Sequence, residues 1–358
     1  MLVVRSPLRI SLAGGGTDLP AYYERHGGMV VSTTINKYVY VIATLNGQDS
    51  VEVSSSDYRS FFSHRPGQRM MWDGDMALLK AMVHQFGVDR GVHIFVASEA
   101  PPGTGLGSSS AVAVGLAKTL ATLSGLALSR AALAEVASYV EIEKLGFPIG
   151  RQDQYAAAFG GLNCLRFEKG QVEVEPLRLP PEVHQTLERN LMLFFTGVSR
   201  NSASILRQQN QASGREDSPT VASLHALKQA AQETLECLQQ GDLHRCARLL
   251  HHSWEQKKRL AGGISNSRID ECYELALQAG ALGGKISGAG GGGFLMLYCE
   301  PDRQADVRQV LETQGLKQMG VHFDQGGATV LVNTLPRSWR FGRPDLSFLQ
   351  REPTYVAV

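Results

Sequence analysis

The chain has 358 residues, 43% of them hydrophobic and 19% charged, with a formal net charge of +1. That is the length of two ordinary domains and the composition of a soluble globular protein, with no charge excess calling for nucleic acid or an acidic membrane as partner. The five scattered cysteines (Cys164, Cys237, Cys246, Cys272, Cys299) contain no CxxC pair and no zinc spacing and read as reduced and buried, no apolar run reaches the 18 residues of a membrane span, and MLVVRSPLRISLAGGG is too interrupted for a signal peptide, so the default expectation is a cytoplasmic protein.

The first half mixes strands and helices. Residues 37–44 (KYVYVIAT) are rich in β-branched and aromatic side chains and predict a strand, as do 51–55 and 93–97. Alanine- and leucine-rich stretches at 111–123 and 131–145 predict helices that stop at Gly125 and Gly146. A strand pair is expected at 161–167 and 172–175, turning at Lys169-Gly170. The second half is more helical. Segments 216–239, 243–260 and 268–278 have amphipathic spacing, with Leu224, Leu227, Ala231, Leu235 and Leu238 on one face of the first. A strand at 294–299, a helix at 303–313 and a last strand at 328–332 follow, and the change of character at 185–200 marks a domain boundary. Residues 336–358 form a tail expected to dock on the body.

Glycine is the compositional outlier, with 38 residues, many of them clustered at 14–16, 103–107, 283–284 and 288–293. Glycine clusters weaken a fold through backbone entropy, and close approach of backbone to a ligand is the expected compensation. The cluster in APPGTGLGSSSAVAV (100–114) follows a strand and opens a helix. Unpaired backbone N–H groups at a helix start, aligned with the helix dipole, favour a phosphate, and glycines let the chain close around its oxygens. No GK[ST] follows, so this is not a Walker A loop. Pro101 and Pro102 intervene after the strand and no acid lies near Leu123, which argues against a dinucleotide-binding enzyme.

PPGTGLGSSSA resembles the second motif of the GHMP kinases, the superfamily of galactokinase, homoserine kinase, mevalonate kinase and phosphomevalonate kinase. That motif runs Pro-x-x-x-Gly-Leu-Gly-Ser-Ser-Ala-Ala, and Ser110 stands here where alanine is commoner. GGKISGAGGGGFLML (283–297), which reads as a flexible glycine loop running into the strand at 294–299, resembles the third motif, and PLRISLAGGGTDLP (7–20) the first, with Arg9, Gly14, Thr17 and Asp18 at matching spacing. The resemblance implies a two-domain α+β fold: a ribosomal-S5-domain-2-like N-terminal ATP-binding domain over 1–190, a ferredoxin-like C-terminal domain over 191–335, and an active site in the cleft between them.

It also implies roles. Pro102, Gly103, Gly105, Leu106, Gly107, Ser108, Ser109 and Ser110 would bind ATP. Asp153, in Gly150-Arg151-Gln152-Asp153-Gln154, would be the base for a sugar hydroxyl, with Arg9 holding it ionised. Glu141, twelve residues earlier, would bind Mg²⁺ together with Ser109. Gly15, Gly16, Thr17 and Asp18 would meet the sugar, Asp18 accepting hydrogen bonds from vicinal hydroxyls; Gly288, Gly290 and Gly291 would lie near substrate and phosphates. The Glu-His pair of galactokinase is absent from Gly14-Gly15-Gly16-Thr17-Asp18, which disfavours galactose. The GGGTD variant is similar to the branch that phosphorylates the anomeric hydroxyl of a heptose 7-phosphate, with L-fucokinase-type domains as rival. A phosphosugar needs cations; the candidates are Lys285 first, then Arg151 and Arg200, with Thr196, Gly197, Ser202 and Ser204 as further donors. The partner expected is thus a small-molecule sugar phosphate, with neither nucleic acid nor membrane and with a homo-oligomer left open. A non-catalytic sensor on the same fold is the rival from another class, opposed by retention of Arg9, Ser109, Glu141 and Asp153.

Overall fold

The computed structural model describes residues 1–57, 59–199, 203–215, 218–336 and 344–350. The chain runs β1 (Leu2–Ala13), α1 (Pro20–His26), β2 (Gly28–Leu45), β3 (Val51–Ser55), β4 (Ser60–His64), α2 (Ala77–Gln85), β5 (Val92–Ser98), α3 (Ser108–Leu123), α4 (Arg130–Ser138), α5 (Gln152–Phe159), β6 (Leu162–Glu168), β7 (Gln171–Pro176), α6 (Pro181–Asn190), β8 (Leu191–Phe195), α7 (Ala203–Ser213), α8 (Pro219–Gln240), α9 (Leu243–Lys257), α10 (Ser267–Gln278), β9 (Ala281–Ile286), β10 (Phe294–Cys299), α11 (Gln304–Thr313), β11 (Lys317–Met319), β12 (Phe323–Asp324) and β13 (Thr329–Asn333).

Two sheets organise these elements. The larger has the order β13-β1-β2-β5-β3-β4. Its spine is β2, whose 18 residues serve three partners on one edge: Val39–Leu45 pair with β5, Thr34 and Ile35 with β12, and Gly28–Thr33 with β6, which in turn pairs with β7. The smaller sheet, β11-β8-β10-β9, is antiparallel throughout. The strands β12 and β13, inside the segment assigned by sequence to the second domain, pair with β2 and β1 of the first sheet. The chain therefore closes where it began, and Met1 and Thr334 are hydrogen-bonded.

The helices cover both sheets. The face of α3 toward β1 and β2 is nearly all small or branched apolar residues, with Ala111, Ala113, Val114, Leu116, Ala117 and Leu120 fully buried. A buried branched or leucine side chain is worth roughly 1.5–3 kcal/mol, so α3 alone anchors the phosphate-loop region strongly. In the second half, Trp254 of α9 and Tyr273 of α10 are buried against β9 and β10. All five cysteines are free and buried. No helix among the described residues is long and apolar enough to cross a membrane.

Three expectations change. The helix foreseen at 131–145 is α4 followed by a π-helical stretch, Tyr139–Lys144. Residues 283–286, read as loop, are strand β9, so the mobile-looking glycine run is confined to 287–293. Helix α7 was not foreseen, because Ala203–Ser213 is polar with an incomplete apolar stripe, and Glu216, the expected start of the next helix, lies outside the described residues.

Candidate active site

The three glycine-rich motifs meet at one cavity between the two sheets. It is lined by Arg9, Gly15, Gly16 and Asp18, by Gly103, Gly105, Gly107 and Ser108–Ser110, by Gly150, Gln152 and Asp153, by Ser287–Gly290 and Gly292, and by Lys257 and α7. Backbone bonds fix this convergence: Arg9 N–H donates to Leu106 O at 3.0 Å and Phe294 N–H to Thr104 O at 3.2 Å.

The glycines are needed first for packing of loop on loop. A Cβ on Gly105 would lie 2.3 Å from Ser287 O, and one on Gly288 would lie 2.5 Å from Gly105 Cα. With φ of +82° and +70° both positions also lie where side chains are strained. The phosphate loop and third-motif loop thus touch backbone to backbone, which tightens the ligand-approach expectation into a contact within the protein. At Gly107 the chain turns into α3, and no side chain caps that helix. The first-turn N–H groups of Ser108–Ser110 face the cavity as ready anion donors.

Arg9 holds Asp153 bidentately, Nε to Oδ1 at 2.7 Å and Nη2 to Oδ2 at 2.8 Å, while Nη1 donates to Gly105 O at 2.6 Å. Arg9 is almost fully buried and Asp153 keeps 23% exposure toward the cavity. The β1 strand supplies one partner and the first turn of α5 the other. Asp18 lies beside them. Its carboxylate accepts from Gly16 N–H at 3.0 Å and from Gln152 N–H at 3.3 Å and Nε2 at 3.0 Å. Gly150 makes room for it, since a Cβ there would lie 1.9 Å from Asp18 Oδ2. Burial, and then the charge of Asp153, push the Asp18 carboxyl above the usual carboxylate range, against the N–H bonds that hold it down.

Glu141 sits in the π-helical stretch, fully buried. The extra residue per turn in a π stretch re-aims a side chain, and such stretches recur at functional sites. Glu141 Oε1 accepts from Ser109 Oγ at 2.6 Å and Oε2 from Gln154 Nε2 at 2.7 Å. Burial pushes its carboxyl up to about 7, while Ser109, Ser110 and Gln154 work to lower it. Ser110, the residue where alanine is commoner, is thus one of the groups that lower the pKa of this carboxyl.

Of the expected cations, neither Arg151 nor Lys285 lines the cavity as foreseen. Arg151 is locked to Glu135, which also accepts from Tyr155 Oη. Burial, the largest single influence, works to lower the Arg151 pKa, and Glu135, Tyr155 and Tyr23 together hold the guanidinium above its usual value. Lys285 is on β9, buried behind the cavity, donating to Ser11 Oγ at 3.4 Å. Burial, then Lys257 and Arg9, depress it well below the usual lysine range. Arg200 and Ser202 lie outside the described residues. Lys257, unmentioned by any motif, lines the cavity and donates to Gly288 O. Burial, then Arg9, bring its ammonium down to about 8, with Asp18 and Asp153 opposing. A signal for it exists in the sequence: Cys246, Ala247, Leu250, Ser253, Trp254 and Lys257 form one buried helical stripe, and a lysine on such a stripe is anomalous.

The remaining expected residues divide. Thr17 uses its hydroxyl to bind Gly14 O and Met29 O at 2.8 and 2.9 Å, holding the first-motif turn on β2 rather than facing the cavity. Leu106 is buried, and Pro102 shapes the turn without lining the cavity. Thr196 Oγ1 donates to Gly293 O at 2.9 Å and, with Gly291, borders a separate small apolar pocket. Gly197 follows it, and Ser204 is exposed in the first turn of α7.

Comparison with known proteins identifies the family. The profile of the GHMP kinase N-terminal domain matches residues 76–161 and that of the GHMP kinase C-terminal domain residues 234–317. The chain is 32% identical over 316 residues to a D-glycero-alpha-D-manno-heptose 7-phosphate kinase of Campylobacter jejuni, covering 87% of this chain and 93% of that protein. The chain belongs to the GHMP kinase family and has its two-domain mixed α/β fold; it is a phosphotransferase. It is also similar to an L-fucokinase/L-fucose-1-P guanylyltransferase of Bacteroides fragilis, 27% identical over 86% of this chain and 35% of that protein. Among solved structures it superposes on a D-glycero-D-manno-heptose 1-phosphate kinase of Bacteroides thetaiotaomicron, with a TM-score of 0.77, 29% identity, and coverage of 94% of this chain and 100% of that one.

Proposed function

We propose that this enzyme transfers the γ-phosphoryl group of ATP to the anomeric C1 hydroxyl of D-glycero-α-D-manno-heptose 7-phosphate, giving the 1,7-bisphosphate for nucleotide-activated heptose and surface polysaccharide. The observation that carries the reading is the bidentate Arg9–Asp153 pair, set between the uncapped start of α3 and Asp18. In the step, Asp153 takes the proton of the acceptor hydroxyl, the acceptor oxygen bonds to the γ-phosphorus, and the bond to the β,γ-bridging oxygen breaks with its electron pair leaving on ADP. Arg9 fixes the orientation of Asp153 through its two parallel hydrogen bonds. Asp18, Gly15 and Gly16 orient the sugar, and the N–H groups of Ser108–Ser110 with the Gly103–Gly107 turn hold the phosphates. The division at residues 190/191 into ATP-binding and C-terminal domains belongs to this proposal.

Mg²⁺ fits the site. Among the described residues no cluster of three His, Cys, Asp or Glu forms a metal cage, and Mg²⁺ needs none, because it is held by one or two protein oxygens with phosphate and water. Ser109 lines the cavity and Glu141, buried behind it, accepts its hydroxyl at 2.6 Å; these are the two residues that would hold the ion. The ion would neutralise charge on the phosphates.

The test is ADP release with Mg-ATP against heptose 7-phosphate, fucose, galactose and mannose, with Asp153→Asn as control. Turnover on heptose 7-phosphate alone, lost in the variant, is expected. One observation favours a second reading, an unphosphorylated sugar such as L-fucose: Arg151 is engaged by Glu135 and Lys285 is behind the cavity wall, so neither offers an open receptor for a second phosphate. Turnover on fucose but not on the heptose phosphate would establish that alternative.

A further inference from the structure

We propose that Lys257 is a catalytic residue of this site, its ammonium bonding the phosphoryl group as that group passes from nucleotide to acceptor. The inference rests on the kinase reading above and adds a residue that no motif supplied.

Placement is the first argument. Lys257 ends α9 on the buried stripe of that helix, 7% exposed, yet lines the cavity. Removing an ammonium from water is costly unless it is compensated. Its hydrogen-bond acceptor is Gly288 O, a neutral carbonyl. An ammonium has three donors, so one such bond leaves two for a ligand. An anion in the cavity would compensate what the carbonyl does not.

Location is the second. Lys257 Nζ lies 3.9 Å from where a side chain on Gly15 would begin, and the Gly288 it holds packs against Gly105 of the phosphate loop. Arg9, Asp18 and Asp153 are the charges it senses. Lys257 is therefore at the meeting point of nucleotide loop, first motif and base, which is the reacting end of the acceptor. A phosphate carried at the far end of a sugar would lie away from the hydroxyl presented to Asp153, so Lys257 is not its receptor.

Elimination is the third. Arg9 directs Nε and Nη2 to Asp153 and Nη1 to Gly105 O, and Lys285 is turned to Ser11. As the acceptor oxygen bonds to phosphorus and the bridging oxygen departs with its electron pair, charge resides on the equatorial oxygens of the group in flight. A cation held there binds the transition state better than the ground state and acts on kcat.

The test compares Lys257→Met and Lys257→Arg with the wild type in the full chain, using Mg-ATP and the acceptor the wild type turns over. Lys257→Met should lower kcat by about 100-fold or more with both KM values within about threefold, and Lys257→Arg should recover part of the loss. A kcat within about threefold of wild type, or a loss carried wholly by the acceptor KM, overturns the proposal. A second measurement needs no acceptor: binding of Mg-ADP with and without fluoroaluminate, a mimic of the phosphoryl group in flight. Lys257→Met should weaken the fluoroaluminate complex about 100-fold and leave Mg-ADP alone unchanged; equal affinities in wild type and variant overturn the proposal, and Lys257→Gln, which also lacks the charge, serves if Lys257→Met does not fold. Wild type that turns over no sugar sinks the sugar-kinase reading while the fluoroaluminate result still decides Lys257; wild type that does not bind Mg-ADP sinks both.

Discussion

Arg9 directs its donors to two acceptors that belong to different motifs, Asp153 and the Gly105 carbonyl. A lysine in its place keeps the charge and loses the fork. Arg9→Lys should therefore lower kcat by roughly 10²–10³ while Mg-ADP affinity changes little, which steady-state kinetics and calorimetry would separate. Lys285 makes a stability prediction. Its folded pKa is depressed, so the folded protein binds fewer protons than the unfolded chain between that value and about 10.4. Stability is fully present above that window and is lost as pH falls through it. Lys285→Met should remove this slope and raise stability at pH 7, read from denaturant unfolding at pH 7 and 9.5. An unchanged pH slope would show that Lys285 is charged in the fold. At this scale Arg9, Asp18, Glu141 and Asp153 were legible because motif spacing marks them, and the structure gathers them. Lys257 was not, because it comes from a helix without glycine motif, and the cations chosen in its place were judged by sequence neighbourhood rather than by what they pair with.

The elements carrying these residues are shaped by their ends. Helix α4 would end at Ser138 in regular form; the chain continues as a π stretch that turns Glu141 inward to Ser109 and Gln154. That stretch is braced from outside by the C-terminal segment. Phe348 stacks on Tyr139 with ring centres 4.1 Å apart, and Asp345 N–H donates to Gln85 O. Phe348→Ala should raise the Mg²⁺ concentration for half-maximal activity by about tenfold with the ATP-loop contacts intact, because partners behind a metal ligand tune its affinity; an unchanged Mg²⁺ response would make the stack purely structural. Sequence periodicity gave helix over 131–145 and could not reveal the π stretch, since one added residue per turn leaves an apolar run apolar. It also placed 283–286 in a loop, where Gly283 and Gly284 are strand residues chosen for space: a Cβ on Gly283 would lie 2.1 Å from Ala247 O of α9.

Across the whole molecule the cavity exists because two sheets built from different halves of the chain are tied back together. Strands β12 and β13 return to β2 and β1 after the small sheet is complete, so the seam between the halves is crossed more than once. Sequence showed the change of character near 185–200 and not this return, because strands of two and five residues carry too little pattern to name their partners. Deleting 321–358 should bare the edge of β1 and give insoluble or molten protein, whereas deleting 337–358 should leave a cooperative thermal transition, both read by circular dichroism.

In the proposed function Asp153, held by Arg9, receives the proton of a sugar hydroxyl as ATP phosphorylates it. The most direct measurement is ³¹P NMR of the product formed from Mg-ATP and heptose 7-phosphate by wild type and by Asp153→Asn. Wild type should give a new anomeric phosphate resonance, and the variant, with its fold and Mg-ADP binding retained, a rate lower by about 10³-fold or more. Anomeric phosphate formed by Asp153→Asn at close to the wild-type rate would contradict this role of Asp153.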